Sequence, residues 1–577
     1  MRSILREGRE WSVAALPPQS LVDTIRSSLG CSNPFAILLA QRGGDHWAAV
    51  IDPGAQSFHS PFLLQDMDRA VDRLEQAFER KQRIFIHGDF DADGLTGAAV
   101  LYRSLRPLLP ANSIKVEVGD RTCGHGLSKP FVLRAIQEEF DLVITVDCGI
   151  SNTEEIAELK RAGIDTIVTD HHLPPAVLPD AVAIVDPHRD EDSYPNPSLA
   201  GVGVGYKLAC AVYERLGRPA PTHLLDLVAL GTVADLVPLS SDGESENRAI
   251  VREAFARIAK GEGSSLGLRA LSEKLSVKPE KMRASDIGYL IAPKLNAANR
   301  AGDPKVAFLL LITEDADQAE YLAEILLDYN RDREIAQNDL IAQADELIRA
   351  DGLKPREDGI LFLVGKYWNE GILGLVASNL GDRYRVPAIV VSRGDRLSRG
   401  SCRSVGDFDM KACLEAHADL LLQHGGHRSA AGFSVSNDAL PALEERLLAY
   451  ADSRRSDIGA RRLDLADAEL VLADVDMRLL TDLASLGPFG PGNPEPRFLV
   501  KDCSFSDLKL VGNRRQHLKG KASQLGTPVS FIAFRMGKHL NTFEETKGAM
   551  LVCSVSFDDW RNDVQVQGHD LLVAEGA

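Results

Sequence analysis

Arg83-Ile-Phe-Ile-His-Gly-Asp-Phe-Asp-Ala-Asp-Gly94 decides the reading of this chain. Three β-favouring residues, Ile84, Phe85 and Ile86, run straight into a histidine, three aspartates and two glycines. A short apolar run that ends in turn chemistry reads as a buried strand. The same pattern recurs twice. Leu142-Val-Ile-Thr-Val146 leads into Asp147-Cys148-Gly149, and Thr166-Ile-Val-Thr169 leads into Asp170-His171-His172. Helix-like segments, Thr96 to Leu109 and Asn152 to Ala162, lie between. Strands alternating with helices predict βαβ units on a parallel sheet.

Ligands of such a sheet bind at the carboxyl ends of its strands. The three strand ends therefore predict one edge carrying His87, Asp89, Asp91, Asp93, Asp147, Asp170, His171 and His172. A further acid, Asp235, follows the apolar run Leu224 to Leu230. Crowded carboxylates repel one another unless cations neutralise them. Carboxylates mixed with imidazoles suit Mn²⁺, Mg²⁺ or Fe²⁺. There are enough ligands for two ions bridged by an aspartate, an arrangement suited to phosphoester hydrolysis.

Each piece has an ordinary reading of its own. Asp89-Phe-Asp-Ala-Asp-Gly94 starts like a calcium loop, but the twelfth position is Val100 where a glutamate is needed. Asp-Gly alone is usually a turn. His171-His172 beside Pro174 could open a helix. The coincidence of acids and histidines at three strand ends favours a metal site. Asp89 is the weakest member and suits a group that orients a ligating histidine. Gly201-Val-Gly-Val-Gly205 lacks phosphate-loop spacing and reads as tight helix packing.

Outward from this centre, Glu314 to Ala350 has neither Gly nor Pro and predicts a long bridging helix. A second α/β region follows. Its Ser401-Cys-Arg403 comes after Arg393, Arg396 and Arg399. Its His424-Gly-Gly-His427 precedes an Ala-rich segment that reads as a Gly-rich turn or a helix start facing an anion. Asn296 and Arg300 sit at what reads as an irregular boundary, where Arg300 could clamp a phosphate. Beyond a polar linker, Asp452 to Arg462, Pro-Gly turns and short strand-like runs predict a small barrel or sandwich. There, Lys509 to Lys538 holds seven Lys/Arg and no acid. Phe531 and Phe534 lie within it, a pattern that suits single-stranded nucleic acid, with at least one phenylalanine expected in the core.

The 577 residues fit several domains, and 44% hydrophobic with 26% charged residues is ordinary for a globular chain. A net charge of −18 argues against coating nucleic acid by bulk charge but leaves room for a locally basic cleft. No C-x-x-C pair occurs among the eight cysteines, so a zinc ribbon is not expected. No leader-like or membrane-length apolar run occurs, which points to the cytoplasm.

His87-Gly-Asp-Phe-Asp-Ala-Asp-Gly94, Val146-Asp-Cys-Gly149, Asp170-His-His172 and Thr232-Val-Ala-Asp235 resemble motifs I to IV of the DHH phosphoesterase superfamily. Gly425-Gly-His427 with Ala430-Ala-Gly432 resembles its DHHA1 lobe. Pro61 to Met67, Ile291 to Ala297, Gly371 to Ser378 and Gly487 to Pro496 are similar to the bacterial single-strand-specific DNA exonucleases of that superfamily.

This resemblance implies an α/β fold in which a parallel-sheet DHH domain is joined by a long helix to a smaller α/β DHHA1 domain, with a C-terminal OB-type β-barrel. The expected divisions are 1–50 as an N-terminal segment, 51–275 as the DHH domain, 276–352 as connector, 353–455 as DHHA1 and 456–577 as the barrel. His87, Asp91 and Asp147 would hold one Mn²⁺ or Mg²⁺, and Asp93, Asp147, His171 and Asp235 the other. Asp89 would assist, and His172 would contact the scissile phosphate. Arg121, Asn296, Arg300, Ser401, Arg403 and His427 would bind substrate.

The implied activity is 5′→3′ hydrolysis of single-stranded DNA to 5′-mononucleotides in repair and recombination. The implied context is a monomer working with a helicase and a single-strand-binding protein. Phe90, Asn299 and Cys402 depart from the family's usual Tyr, Gly and small residue. Two other readings remain: a phosphodiesterase for short oligonucleotides or cyclic dinucleotides, and a non-catalytic scaffold.

Overall fold

The computed structural model describes residues 1–577 except 6–8, 53–56, 122–123, 242, 264, 459–461, 513, 547, 559–560 and 574–577. Its first sheet has five parallel strands in the order Ile114–Val118, Ile84–Gly88, Leu142–Val146, Asp165–Thr169, Ala183–Val185. Both faces are covered, as a parallel sheet requires. Ile84, Ile86, Leu142, Ile144 and Val146 point into a large core on one side. Phe85 and Val143, one residue out of phase, point into a smaller core with Phe131 and Ile156 on the other.

Register then sets the site. Gly88 pairs with Val146, and Val146 with Thr169. The residues that follow, Asp89, Asp147 and Asp170, therefore stand level. Their N–H groups donate in a staircase to Val146, Thr169 and Val185 at 3.3, 3.0 and 3.1 Å. The sheet order reverses beside Ile84–Gly88, which makes this edge the crevice where ligands bind. The helix after the first strand is Ala92–Leu105, four residues ahead of the expected Thr96, because Asp91 caps it. The Asp91 side chain accepts from Asp93 N and Gly94 N.

The helices Leu266–Lys274, Ala292–Ala301 and Pro304–Ile312 lead to the 35-residue helix Ala316–Ala350. At 1.5 Å per residue it spans about 52 Å. Leu322 and Leu326 bury in the core of the first lobe, and Leu340, Ala344 and Ile348 in the core of the second. One rod thus belongs to both. The second lobe is a mixed sheet in the order Gln423–His427, Ala430–Ser436, Leu397–Arg403, Ala388–Arg393, Leu361–Lys366. The Ala-rich segment after His427 is therefore a strand of a β-hairpin. Alternating burial, with Ala431, Phe433 and Val435 facing the core, decides strand over helix.

Phe498–Val511, His517–Gln524, Thr527–Ala533, Asp563–Val573 and Ala549–Asp558 close into a five-stranded barrel, with the helix Leu540–Glu545 between the third and fourth strands in sequence. This is the OB-type barrel expected. The described residues among the first fifty also belong to this body. Arg2–Ser3 pairs with Asp563–Val573, Arg9–Val13 runs parallel to Arg462–Ala466, and Trp11 Nε1 donates to the buried Asp570 at 2.9 Å. The helices Gln19–Leu29 and Asn33–Gly43 pack on the barrel core. The Pro-Gly stretch is an inter-domain seat. Leu239 N donates to Pro491 O at 2.8 Å, and Arg248 Nη2 to Gly487 O at 3.1 Å. Among the described residues no helix is long and apolar enough to cross a membrane.

Candidate metal centre and arginine rim

Three sets of ligand atoms converge within 4.8 Å: Asp89, Asp91 and Asp147; Asp93, His171 and Asp235; and Asp147, His171 and His172. Asp147 is shared. Its backbone is left-handed, φ +62°, a conformation that short polar side chains tolerate better than most. Gly201 makes room for it, since a Cβ there would lie 2.5 Å from the Asp147 Cβ. The helix Gly201–Arg215 has a second use. Its first N–H groups, on Gly201 and Val202, donate to the two Asp93 oxygens at 2.7 and 2.8 Å. The positive helix end thus holds a carboxylate. This agrees with close packing as the role of the glycine run.

His171 Nε2 stands 3.1 Å from Asp147 Oδ1, 3.7 Å from Asp235 Oδ2 and 3.8 Å from Asp93 Oδ2. Its ring also hydrogen-bonds the Leu199 backbone. Burial and the charge of His172 hold it neutral, near 4, the state a metal ligand needs. His172 is the opposite. Burial works against its charge, but Asp170, 2.7 Å from Nδ1, outweighs that and lifts it to about 9. The ring is cationic at neutral pH.

The carboxylates carry the clearest signal. Burial and mutual repulsion push Asp91 up, Asp93 and Asp147 far up, and Asp235 to about 7. Asp89 Oδ1 and His87 Nδ1 are buried with no hydrogen-bond partner among the described residues. Clustered acids deprived of water, together with unpartnered donor atoms, fit divalent cations. His87 stands outside the three ligand sets. Its ring lies against Phe131, and Nε2 is 3.2 Å from Gly126 O. Asp89, the weakest of the expected residues, is inside one.

Opposite the acids lies a rim of arginines. Burial lowers Arg121, Arg300 and Arg403. Arg300 falls to about 9, pressed also by Arg121, Arg333 and Arg403. Arg403 Nη1 is 3.5 Å from Ser401 Oγ, and Gly374, at the start of the helix Leu373–Tyr384, faces both side chains. Arg300 Nη1 donates to Gly371 O at 2.6 Å. His427 lies on an exposed strand where it feels the charge of His172. Asn296 and Arg300 sit within the helix Ala292–Ala301 rather than at an irregular boundary. Asn296 Oδ1 accepts from Ala92 N at 2.8 Å, so this oxygen holds the acid loop.

Sequence reasoning missed three residues here. His125 Nδ1 is 3.0 Å from Asp89 Oδ2, and its ring lies against Phe90. Asp186, fully buried, and His188, whose ring hydrogen-bonds the His171 backbone, follow the fifth strand. The signal was present: Ala-Ile-Val-Asp186 repeats the strand-then-acid pattern, but three residues are too few to read as a strand. In the barrel, Phe531 is fully buried and Phe534 is 48% exposed, so one phenylalanine is core and the other is available. Lys519 and Lys521 pair with Asp558 and Asp507, whereas Arg514, Arg515, Arg535 and Lys538 are exposed near Phe534 in sequence.

Known proteins match this architecture piece by piece. The DHH family N-terminal domain matches residues 83–232, the DHHA1 domain 357–453 and the RecJ OB domain 466–569. The chain is 32% identical to the single-stranded-DNA-specific exonuclease RecJ of Bacillus subtilis, over 100% of this chain and 71% of that protein. It is 32% identical to RecJ of Haemophilus influenzae, over 90% and 92%. The crystal structure of RecJ in complex with Mn²⁺ from Thermus thermophilus superposes with a TM-score of 0.83 at 30% identity, covering 99% of this chain and 80% of that one. With all three domains present and the likeness running through the whole length, the chain belongs to the RecJ family of single-stranded-DNA-specific exonucleases.

Proposed function

We propose that this chain degrades single-stranded DNA from the 5′ end, releasing 5′-mononucleotides, with two Mn²⁺ or Mg²⁺ ions at the sheet edge. The observation that carries the reading is the pairing of two frustrated clusters. Carboxylates that burial and mutual repulsion push toward their neutral form face arginines that burial deprives of water. Divalent cations relieve the first and a phosphodiester relieves the second. His87, Asp91 and Asp147 hold one ion with Asp89 beside them, and Asp93, Asp147, His171 and Asp235 hold the other. When bound, the ions supply an acidified water and neutralise the reacting phosphate.

The chain's own groups do the rest. Asp93 is fixed by two backbone N–H groups, and His171 by Leu199, so the ligand atoms are set before substrate arrives. Protonated His172 donates to a non-bridging oxygen of the scissile phosphate. Arg121, Arg300, Ser401 and Arg403 grip the phosphate at the 5′ end, with His427 beside them. Phe534 and the neighbouring arginines bind upstream nucleotides by stacking and charge. The barrel favours long strands over the dinucleotide substrates of the second reading, and the intact acids favour catalysis over a scaffold. Action as a cytoplasmic monomer alongside a helicase and a single-strand-binding protein belongs to the same reading.

The test is a single strand labelled at the 5′ or the 3′ end and digested with Mn²⁺. The 5′ label should appear at once as a mononucleotide, while the 3′ label persists in shortening strands. Release of the 3′ label first, or cleavage of dinucleotides alone, would end the proposal.

A further inference from the structure

Asn299 sits in the last turn of the helix Ala292–Ala301, and its side chain meets three backbone groups from two loops. Oδ1 accepts from Arg121 N at 3.1 Å. Nδ2 faces Phe90 O at 3.2 Å and Gly119 O at 3.4 Å. Phe90 lies between Asp89 and Asp91, inside the acid loop. Gly119 and Arg121 belong to the loop after the strand Ile114–Val118. Irregular backbone of this kind must find partners for its polar groups, and here one amide serves both segments. Asn296, three residues earlier and so on the same face of the helix, accepts from Ala92 N. The next residue after Asn299, Arg300, reaches the second lobe at Gly371 O. A single helical turn therefore ties together the acid loop, the Arg121 loop and the opposite lobe.

The Arg121 side chain shows what this serves. Its guanidinium lies 4.4 Å from the centroid of the Phe90 ring, a cation–π stack between the two segments that Asn299 joins. Its Nε is buried without a hydrogen-bond partner among the described residues. Arg121 is thus held beside the acids by its backbone and by a ring, leaving guanidinium donors for an anion.

We propose that Asn299 is a positioning residue that locks the Arg121 loop to the acid loop, so that Arg121 meets the phosphate at the 5′ end of the strand in register with the metal centre. This rests on the function proposed above and adds a residue that touches neither substrate nor metal.

The test uses the full chain with Mn²⁺ and matched single strands bearing a 5′-phosphate or a 5′-hydroxyl. Wild type should prefer the phosphorylated strand. Asn299→Ala should raise KM for that strand about tenfold, the size of one lost hydrogen bond to a charged group, and change KM for the hydroxyl strand less than twofold. In an Arg121→Ala background, Asn299→Ala should add less than twofold, because the two act through one contact. Asn299→Asp keeps the acceptor for Arg121 N but turns an oxygen toward the Phe90 and Gly119 carbonyls, which breaks the tie to the acid loop, so it should lose the preference as the alanine variant does. Close to asparagine in volume, it also serves should the alanine variant melt early. Equal losses on both strands, additive losses in the double variant, or an unchanged preference in Asn299→Ala would overturn the assignment. A wild type that does not distinguish the two strands would remove the end-grip reading itself, and this inference with it.

Discussion

The acid edge and the arginine rim solve opposite electrostatic problems with opposite architectures. The acids stand at neighbouring strand ends of one sheet, with Asp235 beside them at a helix end, and backbone of that same domain holds them: Asp91 caps its own helix, Asp93 takes two N–H groups from the start of another, and Asp147 sits in a left-handed turn. The arginines come from a loop, a connector helix and a strand of another lobe, at positions 121, 300 and 403. The metal side is thus fixed by one fold unit. The phosphate side exists only when three units are assembled. The acid edge should therefore fail all or nothing, and the rim by degrees.

The sharpest break is at the shared carboxylate. Asp147→Ala should lower kcat on single-stranded DNA by at least ~10³-fold, the scale seen when one member of a catalytic set is removed, with a melting temperature no lower than that of wild type in the absence of metal. Near-normal turnover would separate the acids from the chemistry.

Metal removal probes the same edge thermodynamically. The folded-state pKa of Asp235, about 7, lies above its ordinary value of 3.8. The stability linked to it is full below 3.8 and is lost as pH rises through 7. The metal-free protein should therefore melt several degrees lower at pH 8 than at pH 5. Mn²⁺ should restore more at pH 8 than at pH 5, and Asp235→Asn should flatten the metal-free decline. A metal-free melting temperature that climbs over this range would contradict the repulsion.

The rim should respond more gently. Arg403→Ala should raise KM for 5′-phosphorylated strands roughly 10- to 100-fold, as for a lost charged hydrogen bond, with kcat changed far less. An equal fall in kcat would place Arg403 with the acid edge. The smallest effect belongs to the barrel. Phe534→Ala should weaken binding of long strands by about 1–3 kcal/mol without altering the melting temperature. Phe531→Ala, fully buried, should lower the melting temperature instead. Reversed outcomes would mean that the stacking face lies elsewhere.

The two regions also differed in how plainly the sequence announced them. The acid edge was readable because a continuous apolar run and a strand-end acid lie within a dozen contiguous residues, three times over. The long helix was readable because Glu314 to Ala350 lacks any breaker. The arginines carried no such local signal, since nothing within five residues of Arg121 or Arg300 says what lies across the cleft. That Asn296 also holds Ala92 N had no local signal either, because the two residues are 204 positions apart. The hairpin at Gly425 to Gly432 was ambiguous because glycine suits turns, helix starts and strands that approach closely. The N-terminal fifty residues gave nothing, because their pairing partners are the last strand and the segment Arg462–Ala466.

That pairing imposes an order on the protein's birth. Trp11 and the apolar helix Asn33–Gly43 leave the ribosome early, but Asp563–Val573 is made more than five hundred residues later. At roughly 5–20 residues per second, these segments wait on the order of half a minute to two minutes with Phe35, Ile37, Leu38 and Leu39 uncovered. The core that these apolar residues share with the barrel closes only once Asp563–Val573 has emerged.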